Sequence, residues 1–371
     1  MLNETEFEIK GQKEAAEQLY KIYKSNKIPH ALLFDGLPGC GKFETAVKFG
    51  ALLNSGSEND KSAKIFQLRE PYFNIIMPLP RGRGETPDDN PTEKLDSDTL
   101  ELIQSEMGKK ANNPYHTINI PKANNIKINS IRELKKNIAF NYDDIPKRIY
   151  YFQDAHLMSE EAQNSFLKSL EEPPEGILFI LSTPYKEKLL TTIHSRCWQV
   201  NFKPLLQNDI VRVLTDNFSI DKEKAGSVSY FADGSVEKAV KLLELDFEEL
   251  LNNVINIIRY SLAGKMSVVW ELLTPYLKDN PVEFSHLILE LIKKWLLDVI
   301  SDKNSGNIIY FVKYEETVKK FNIRYAEVNI YEEISELDRL DGYLDSNVNL
   351  NVLWLNIIFE LASIGKRLKL V

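Results

Sequence analysis

The sequence predicts an α/β fold, a parallel β-sheet covered by helices, followed by a region that is helical to its end. Three observations lead there. Short apolar runs alternate with longer amphipathic ones over the first two hundred residues, a glycine-rich turn, GLPGCGK, joins one such run to a helix, and the β signals fade after about residue 203. Strands buried on both faces read as continuous apolar runs, and their alternation with helices is the pattern of a helix-covered parallel sheet.

In chain order the apolar runs are HALLF (30–34), NIIMPL (74–79), RIYYF (148–152) and ILFILS (177–182). Between them FETAVKFGALL, INSIRELKKNIAF and SEEAQNSFLKSLEE have helical periodicity. In the last, Ser159 is placed to cap the N-terminus, Ala162, Phe166 and Leu170 share one face, and Pro173 with Pro174 stops the helix. Residues 81–98, RGRGETPDDNPTEKLDSD, are rich in Gly, Pro and charge and predict a mobile surface insertion. Its Arg-Gly repeat suits either phosphate contact or simple solvation. Residues 207–245 predict a small helical unit with the turn ADGS (232–235), and apolar-faced helical segments follow at 266–278, 282–300 and 346–368. No internal repeat of solenoid period is visible.

A length of 371 residues suggests two or three domains. With 43% hydrophobic and 27% charged residues, the composition favours neither a disordered nor a membrane-embedded class. The net charge of −8 argues against a protein that coats nucleic acid through its overall field. The first residues, MLNETEFEIKGQ, carry acids where a signal peptide has a basic end, which predicts a cytoplasmic protein. The run NVNLNVLWLNIIFELASIGKRLKL is interrupted by Asn349, Asn351, Asn356 and Glu360, so it predicts a buried helix and not a membrane span. Only Cys40 and Cys197 are present, which leaves no disulfide framework and no four-thiolate zinc site. The five His have no HxH or HExxH spacing, so no metal is expected.

The chemistry should lie at GLPGCGKFETA (36–46). A turn of this kind points successive backbone N–H groups at an anion, and the helix dipole adds to the attraction. Gly36, Gly39 and Gly41 permit close approach and Lys42 supplies charge for the outer phosphates. The pattern G-x-x-x-x-G-K-[ST] then breaks, because Phe43 stands where a hydroxyl would reach magnesium. A second departure lies in RIYYFQDAH, where a metal-holding acid and a water-polarising acid are expected at the strand end. Gln153 is neutral and Asp154 is one methylene shorter than glutamate. Together they predict a chain without independent catalysis, needing no cofactor, and leave binding of ATP or ADP in doubt. No polymerase carboxylate constellation is present, so polymerase activity is not expected of this chain.

The runs HALLFDGLPGCGK, YYFQDAHLMSEEAQNSFLKSLEEPP and ILFILSTPYKEKLLTTIHSRC together resemble the AAA+ subunits of the bacterial replicative clamp loader, the delta-prime subunits of DNA polymerase III in particular. The resemblance is good over residues 8–204, fair at FADGSVEKAV (231–240) and faint at NVNLNVLWLNIIFEL (347–361). It implies a RecA-like ATPase domain (1–204), a helical lid (205–245) and a helical collar (246–371) that joins subunits in a ring. The implied partners are the gamma/tau and delta subunits, with the sliding clamp and primer-template DNA met through the assembly. Ser195, Arg196 and Cys197 match the family's SRC motif, whose arginine enters the ATP site of an adjacent subunit. Thr183 falls near the family's γ-phosphate sensor and Lys238 near its second sensor in the lid. By its bare chemistry Cys197 is a small packing residue. The zinc module found in related chains is missing from LLNSGSENDKSAKIFQLREPYF, so no zinc is expected. The rival expectation is a catalytically active gamma/tau-type ATPase, and a sequence-independent DNA-binding protein is disfavoured by the net charge.

Overall fold

Residues Ala31–Asp35, ALLFD, are buried at four of five positions because they form an interior strand of a parallel sheet. The protein is described by a computed structural model over residues 7–55, 62–140, 142, 145–278, 280–344, 346 and 348–367. The expectations for the first six residues, for the part of the cysteine-free segment at 56–61 and for positions 347 and 368 of the late helix lie outside the described residues. The chain divides into two units, Met1–Lys241 and Leu242–Val371.

The first unit runs α1 (Lys13–Lys24), β1 (Ala31–Asp35), α2 (Lys42–Leu53), α3 (Ser62–Phe66), β2 (Phe73–Ile76), α4 (Ser97–Asn112), α5 (Ile128–Ile138), β3 (Arg148–Phe152), α6 (Glu160–Glu171), β4 (Ile177–Thr183), α7 (Thr191–His194), β5 (Trp198–Asn201), α8 (Gln207–Phe218), α9 (Lys222–Ser229) and α10 (Val236–Glu244), whose last turn passes into the second unit. All five strands are parallel, in the order β2-β3-β4-β1-β5. This is the expected parallel α/β arrangement, followed by a helical C-terminal region. Parallel strands place every C-terminal end on one edge of the sheet, and ligands of open α/β sheets bind along that edge. There β1 ends beside β4, Asp35 opposite Thr183.

Each of the four apolar runs contains a strand. The apolar face of α6 is buried as its spacing predicts, with Phe166 packed between Phe152, tilted against it, and Phe179, edge-on to it, at ring-centroid distances of 4.7 and 5.1 Å. Burying each such ring contributes about 1.5–3 kcal/mol. Ser159 Oγ accepts the Ala162 N–H at 3.2 Å, as an N-cap should. Residues 81–98, expected as a mobile insertion, are tied to α5 and the residue before it. Glu85, 7% exposed, accepts from the Gly82 N–H, Lys127 Nζ and Asn129 Nδ2, and Arg132 Nη1 donates to the Pro87 carbonyl.

The elements α1, α3, α4, α7 and β5 have no counterpart in the sequence reading. In β5 only Val200 is buried, so there is no apolar run to see. In α4 the buried residues are Glu106 and Lys110, so the helix has no apolar stripe.

The second unit is helical throughout: α11 (Phe247–Leu262), α12 (Met266–Leu273), α13 (Pro281–Ser305), α14 (Glu315–Arg324), α15 (Ile330–Asp341) and α16 (Leu350–Arg367). Trp354 of α16 is fully buried and its Nε1 donates to Ser285 Oγ at 2.8 Å. The opposite side of α16 leaves Val352, Leu355 and Phe359 exposed. Among the described residues no helix is long and apolar enough to cross a membrane.

Asp298, in α13 and fully buried, accepts three successive N–H groups, from Ile309 (2.8 Å), Tyr310 (3.0 Å) and Phe311 (2.7 Å). These are the bonds that turn the chain after α13. Removing the carboxylate orphans buried donors at roughly 1–3 kcal/mol each, less what water recovers. Asp298→Ala should therefore destabilise this unit by about 3 kcal/mol, read as an earlier urea midpoint in tryptophan fluorescence, which Trp295 and Trp354 report from within the unit.

Candidate functional site

The loop after β1 begins at Gly36, whose N–H donates to the Thr183 carbonyl at 3.1 Å. Gly39 has φ +68° and a Cβ there would lie 2.4 Å from the backbone N of Glu237, so only glycine fits. Gly41, at φ +95°, starts α2. Gln12 braces the loop from outside, donating to the carbonyls of Cys40 (2.9 Å) and Lys203 (2.7 Å). The start of α10 lies over the loop. Val236 N–H donates to the Gly39 carbonyl at 3.3 Å and Ser235 Oγ to the Pro38 carbonyl at 2.8 Å.

Lys42, 7% exposed, donates from Nζ to the carbonyls of Gly36 and Leu37, the latter at 2.6 Å, and so stays within its own loop. Burial lowers its pKa, against the attraction of Cys40, Asp154 and Glu237. Phe43 is 6% exposed and packs edge-on against Tyr151 and Phe73, with ring centroids 5.1 and 5.9 Å away. The position that would hold a metal-binding hydroxyl is thus part of an aromatic core. On the Phe43 ring stands the ammonium of Lys110, 4.5 Å from the centroid. Lys110 Nζ also donates to the His116 carbonyl at 2.6 Å. Burial brings its pKa down to about 8, and Glu237 and Asp154 oppose that shift.

At the end of β3, Gln153 lends a side-chain hydrogen bond to Asp154, and its Oε1 is buried without a partner. Asp154 adopts φ +52°, and burial raises its pKa against the pull of Lys42 and Lys110. Burial also raises the pKa of Glu237, which takes a hydrogen bond from Thr117. Two ammonium groups and two carboxylates therefore face one another beside the loop. Thr183 is fully buried; its Oγ1 meets His156 Nδ1 at 3.1 Å and accepts the Tyr185 N–H at 2.9 Å. Burial, with help from Lys188 and Lys42, holds His156 down at about 4, so the ring is neutral at physiological pH. Lys238, the expected lid sensor, pairs with Asp233 at 2.5 Å, and its neighbour Glu237 is the α10 side chain that faces the loop's cations.

The donor set suits phosphate and does not suit magnesium. The glycines leave room for an anion, and Lys42 would release the Gly36 and Leu37 carbonyls to meet one. Phe43 has no ligand atom, Gln153 offers an amide oxygen, and Asp154 already faces two ammonium groups. Among the described residues no cluster of His, Cys, Asp and Glu could hold a metal ion.

Arg196 belongs to a second cluster. Its guanidinium pairs with Glu171 at 2.7 Å and donates to the Thr192 carbonyl at 2.9 Å and to Ser195 Oγ at 3.4 Å. Cys197 packs against the sheet core, and burial pushes its thiol up to about 12, so it acts as a packing group. Arg196 precedes β5 and Glu171 precedes β4, so this cluster lies on the N-terminal edge of the parallel strands, opposite the edge that carries the loop. Lys110, Glu237 and Gln12 were missed by the sequence reading. Only the SDTLELIQSEMGKKA pattern, with Asp96 as N-cap, could have pointed toward the first of them.

The family model described as "DNA polymerase III, delta subunit" matches residues 11–206, more than half of the chain. Among curated proteins, the chain is 35% identical over 144 residues to the DNA polymerase III subunit gamma of Buchnera aphidicola subsp. Schizaphis graminum, covering 37% of this chain and 39% of that protein. To the subunit gamma of Buchnera aphidicola subsp. Baizongia pistaciae it is 23% identical over 381 residues, covering 97% of this chain and 88% of that protein. To the subunit tau of Bacillus subtilis it is 25% identical over 242 residues, covering 64% of this chain and 37% of that protein.

These relatives correct the expectation of a chain without independent catalysis. They carry the names of the subunits taken above as the catalytic rival, and one alignment runs through nearly the whole chain. The physical reason for the misjudgement is that Phe43 and Gln153 alter only the positions expected to hold a metal, whereas Gly36, Gly39, Gly41 and Lys42 of the loop pattern are unchanged.

Lys110 is held in place through Glu106 on the same helix. Glu106 accepts from Lys109 Nζ (2.7 Å), His116 Nε2 (2.8 Å) and the Asn119 N–H (3.0 Å). Burial alone would raise its pKa, but these bonds outweigh burial and bring it down to about 2. A depressed carboxylate contributes stability that is complete above its unfolded pKa near 4.5 and lost as pH falls through the folded value. Glu106→Gln should cost about 2 kcal/mol at pH 7. The difference from wild type should shrink between pH 4.5 and 2 in urea titrations.

Proposed function

The chain belongs to the DNA polymerase III delta-subunit family, and we propose that it works as an AAA+ subunit of a bacterial replicative clamp loader, of the gamma and tau kind, with nucleotide taken at Gly36–Lys42. The names of the relatives and the intact phosphate loop support that reading. The observation that carries it is the placement of Arg196. A four-residue strand such as β5 spans about 10–13 Å, and Arg196 sits at the start of it, on the edge away from its own loop. From there the guanidinium serves a neighbouring subunit's nucleotide, where such an arginine stabilises charge on the transferring phosphoryl group and contributes on the order of 10³–10⁵ in rate. Glu171 keeps the side chain oriented until the neighbour arrives.

In this reading residues 205–245 serve as the lid over the loop and residues 246–371 as the collar. The stripe Val352, Leu355 and Phe359 on α16 offers the collar an apolar surface for association. Gamma/tau and delta subunits, the sliding clamp and primed DNA are the partners. Thr183 and Lys42 respond to the bound phosphates.

A second reading, the delta-prime position in the same assembly, is favoured by the Phe43 ring and the Gln153 amide at the two metal-holding positions. Steady-state ATP turnover by the purified chain separates the two: measurable turnover supports the gamma/tau kind, and a rate at background supports delta-prime.

For the trans role of Arg196, the chain is reconstituted with partner subunits, clamp and primed DNA, and assembly is checked by size exclusion. Arg196→Ala should assemble normally and lower ATP turnover more than about tenfold. Equal turnover in a correctly assembled complex would remove the arginine from the mechanism.

A further inference from the structure

One cation beside the loop is not part of the loop motif. Lys110 arrives from the last turn of α4, is 7% exposed, and stands 4.5 Å above the ring of the residue that replaces the metal-binding hydroxyl. We propose that the Lys110 ammonium takes the place of the divalent cation in this site, so that the loop receives the phosphates of a nucleoside di- or triphosphate without magnesium. This rests on the reading that Gly36–Lys42 takes a nucleotide.

The two departures at the metal-holding positions then have a single cause. A hydroxyl at position 43 would hold a metal ion by its lone pairs, whereas the face of a phenyl ring holds an ammonium. Packing against Tyr151 and Phe73 fixes the ring. At position 153 the Gln153 amide hydrogen-bonds Asp154 and adds no further negative charge there. Lys110 spends one donor on the His116 carbonyl and has two others. Its lowered pKa, about 8, still leaves it mostly charged at neutral pH.

The charges that face Lys110 are Glu237 from α10, Asp154 from the end of β3, and Lys42 from α2. Phosphate oxygens would compete with Glu237 for the ammonium. That carboxylate belongs to the helix whose first N–H rests on Gly39, so the competition acts where the lid meets the loop.

The test is isothermal titration of ADP and of ATP into the full-length chain, in magnesium and again in EDTA. Wild type should bind with dissociation constants that differ by less than about threefold between the two buffers. Lys110→Met, which keeps the apolar stem, should weaken binding in EDTA more than about tenfold, and Glu237→Gln should tighten it. Binding that vanishes in EDTA, binding that Lys110→Met leaves unchanged, or no binding in either buffer would each overturn the proposal. The comparison of buffers needs only wild-type protein, so it decides even if Lys110→Met does not fold. A failure here is distinct from failure of the clamp-loader reading, which is judged by turnover in the reconstituted complex with Arg196→Ala.

Discussion

A buried ammonium group needs a counter-charge or a ring face beside it, and this chain buries two ammonium groups at one loop. Lys42 and Lys110, each 7% exposed, face Asp154 and Glu237, which are drawn from two further elements. The ends of α2, α4, β3 and the start of α10 are brought together by that requirement. Removing any one charge leaves the others unbalanced in a low-dielectric setting, where a single unpaired group costs several kcal/mol. The loop, the helix that covers it and the segment 97–119 therefore form one electrostatic unit.

The parallel sheet makes this unit possible. Because β1, β3 and β4 run the same way, the glycine loop, Gln153 with Asp154, and Thr183 all emerge on one edge. The same geometry sends Arg196 and Glu171 to the other edge. The chain thus carries the glycine loop and the Arg196–Glu171 pair on opposite edges of one sheet.

The relatives named gamma and tau and the side chains at positions 43 and 153 pull in different directions if the loop is judged by its metal ligands alone. They are reconciled when phosphate binding and metal binding are treated as separable. The glycines and lysine of the motif are all present, and the two positions expected to hold a metal carry an aromatic face and an amide. The Phe43 ring, with the Lys110 ammonium on its face, suits a fixed ammonium better than a hydrated dication.

The α/β class, the four apolar strands, the face of α6 and the glycine-rich turn between β1 and α2 were legible because each is written as a local pattern: an apolar run, a 3.6-residue period, a glycine spacing. The strand β5 was not, since a single buried side chain leaves no pattern. Neither was α4, whose buried residues are a glutamate and a lysine that sequence rules place at the surface. Phe43 and Gln153 could be seen in the sequence as departures, but only as losses. What stands in place of the lost groups was decided by tertiary structure, because the cation over Phe43 comes from a residue 67 positions later in the chain, and a long-range pairing of charge with ring leaves no trace in local periodicity.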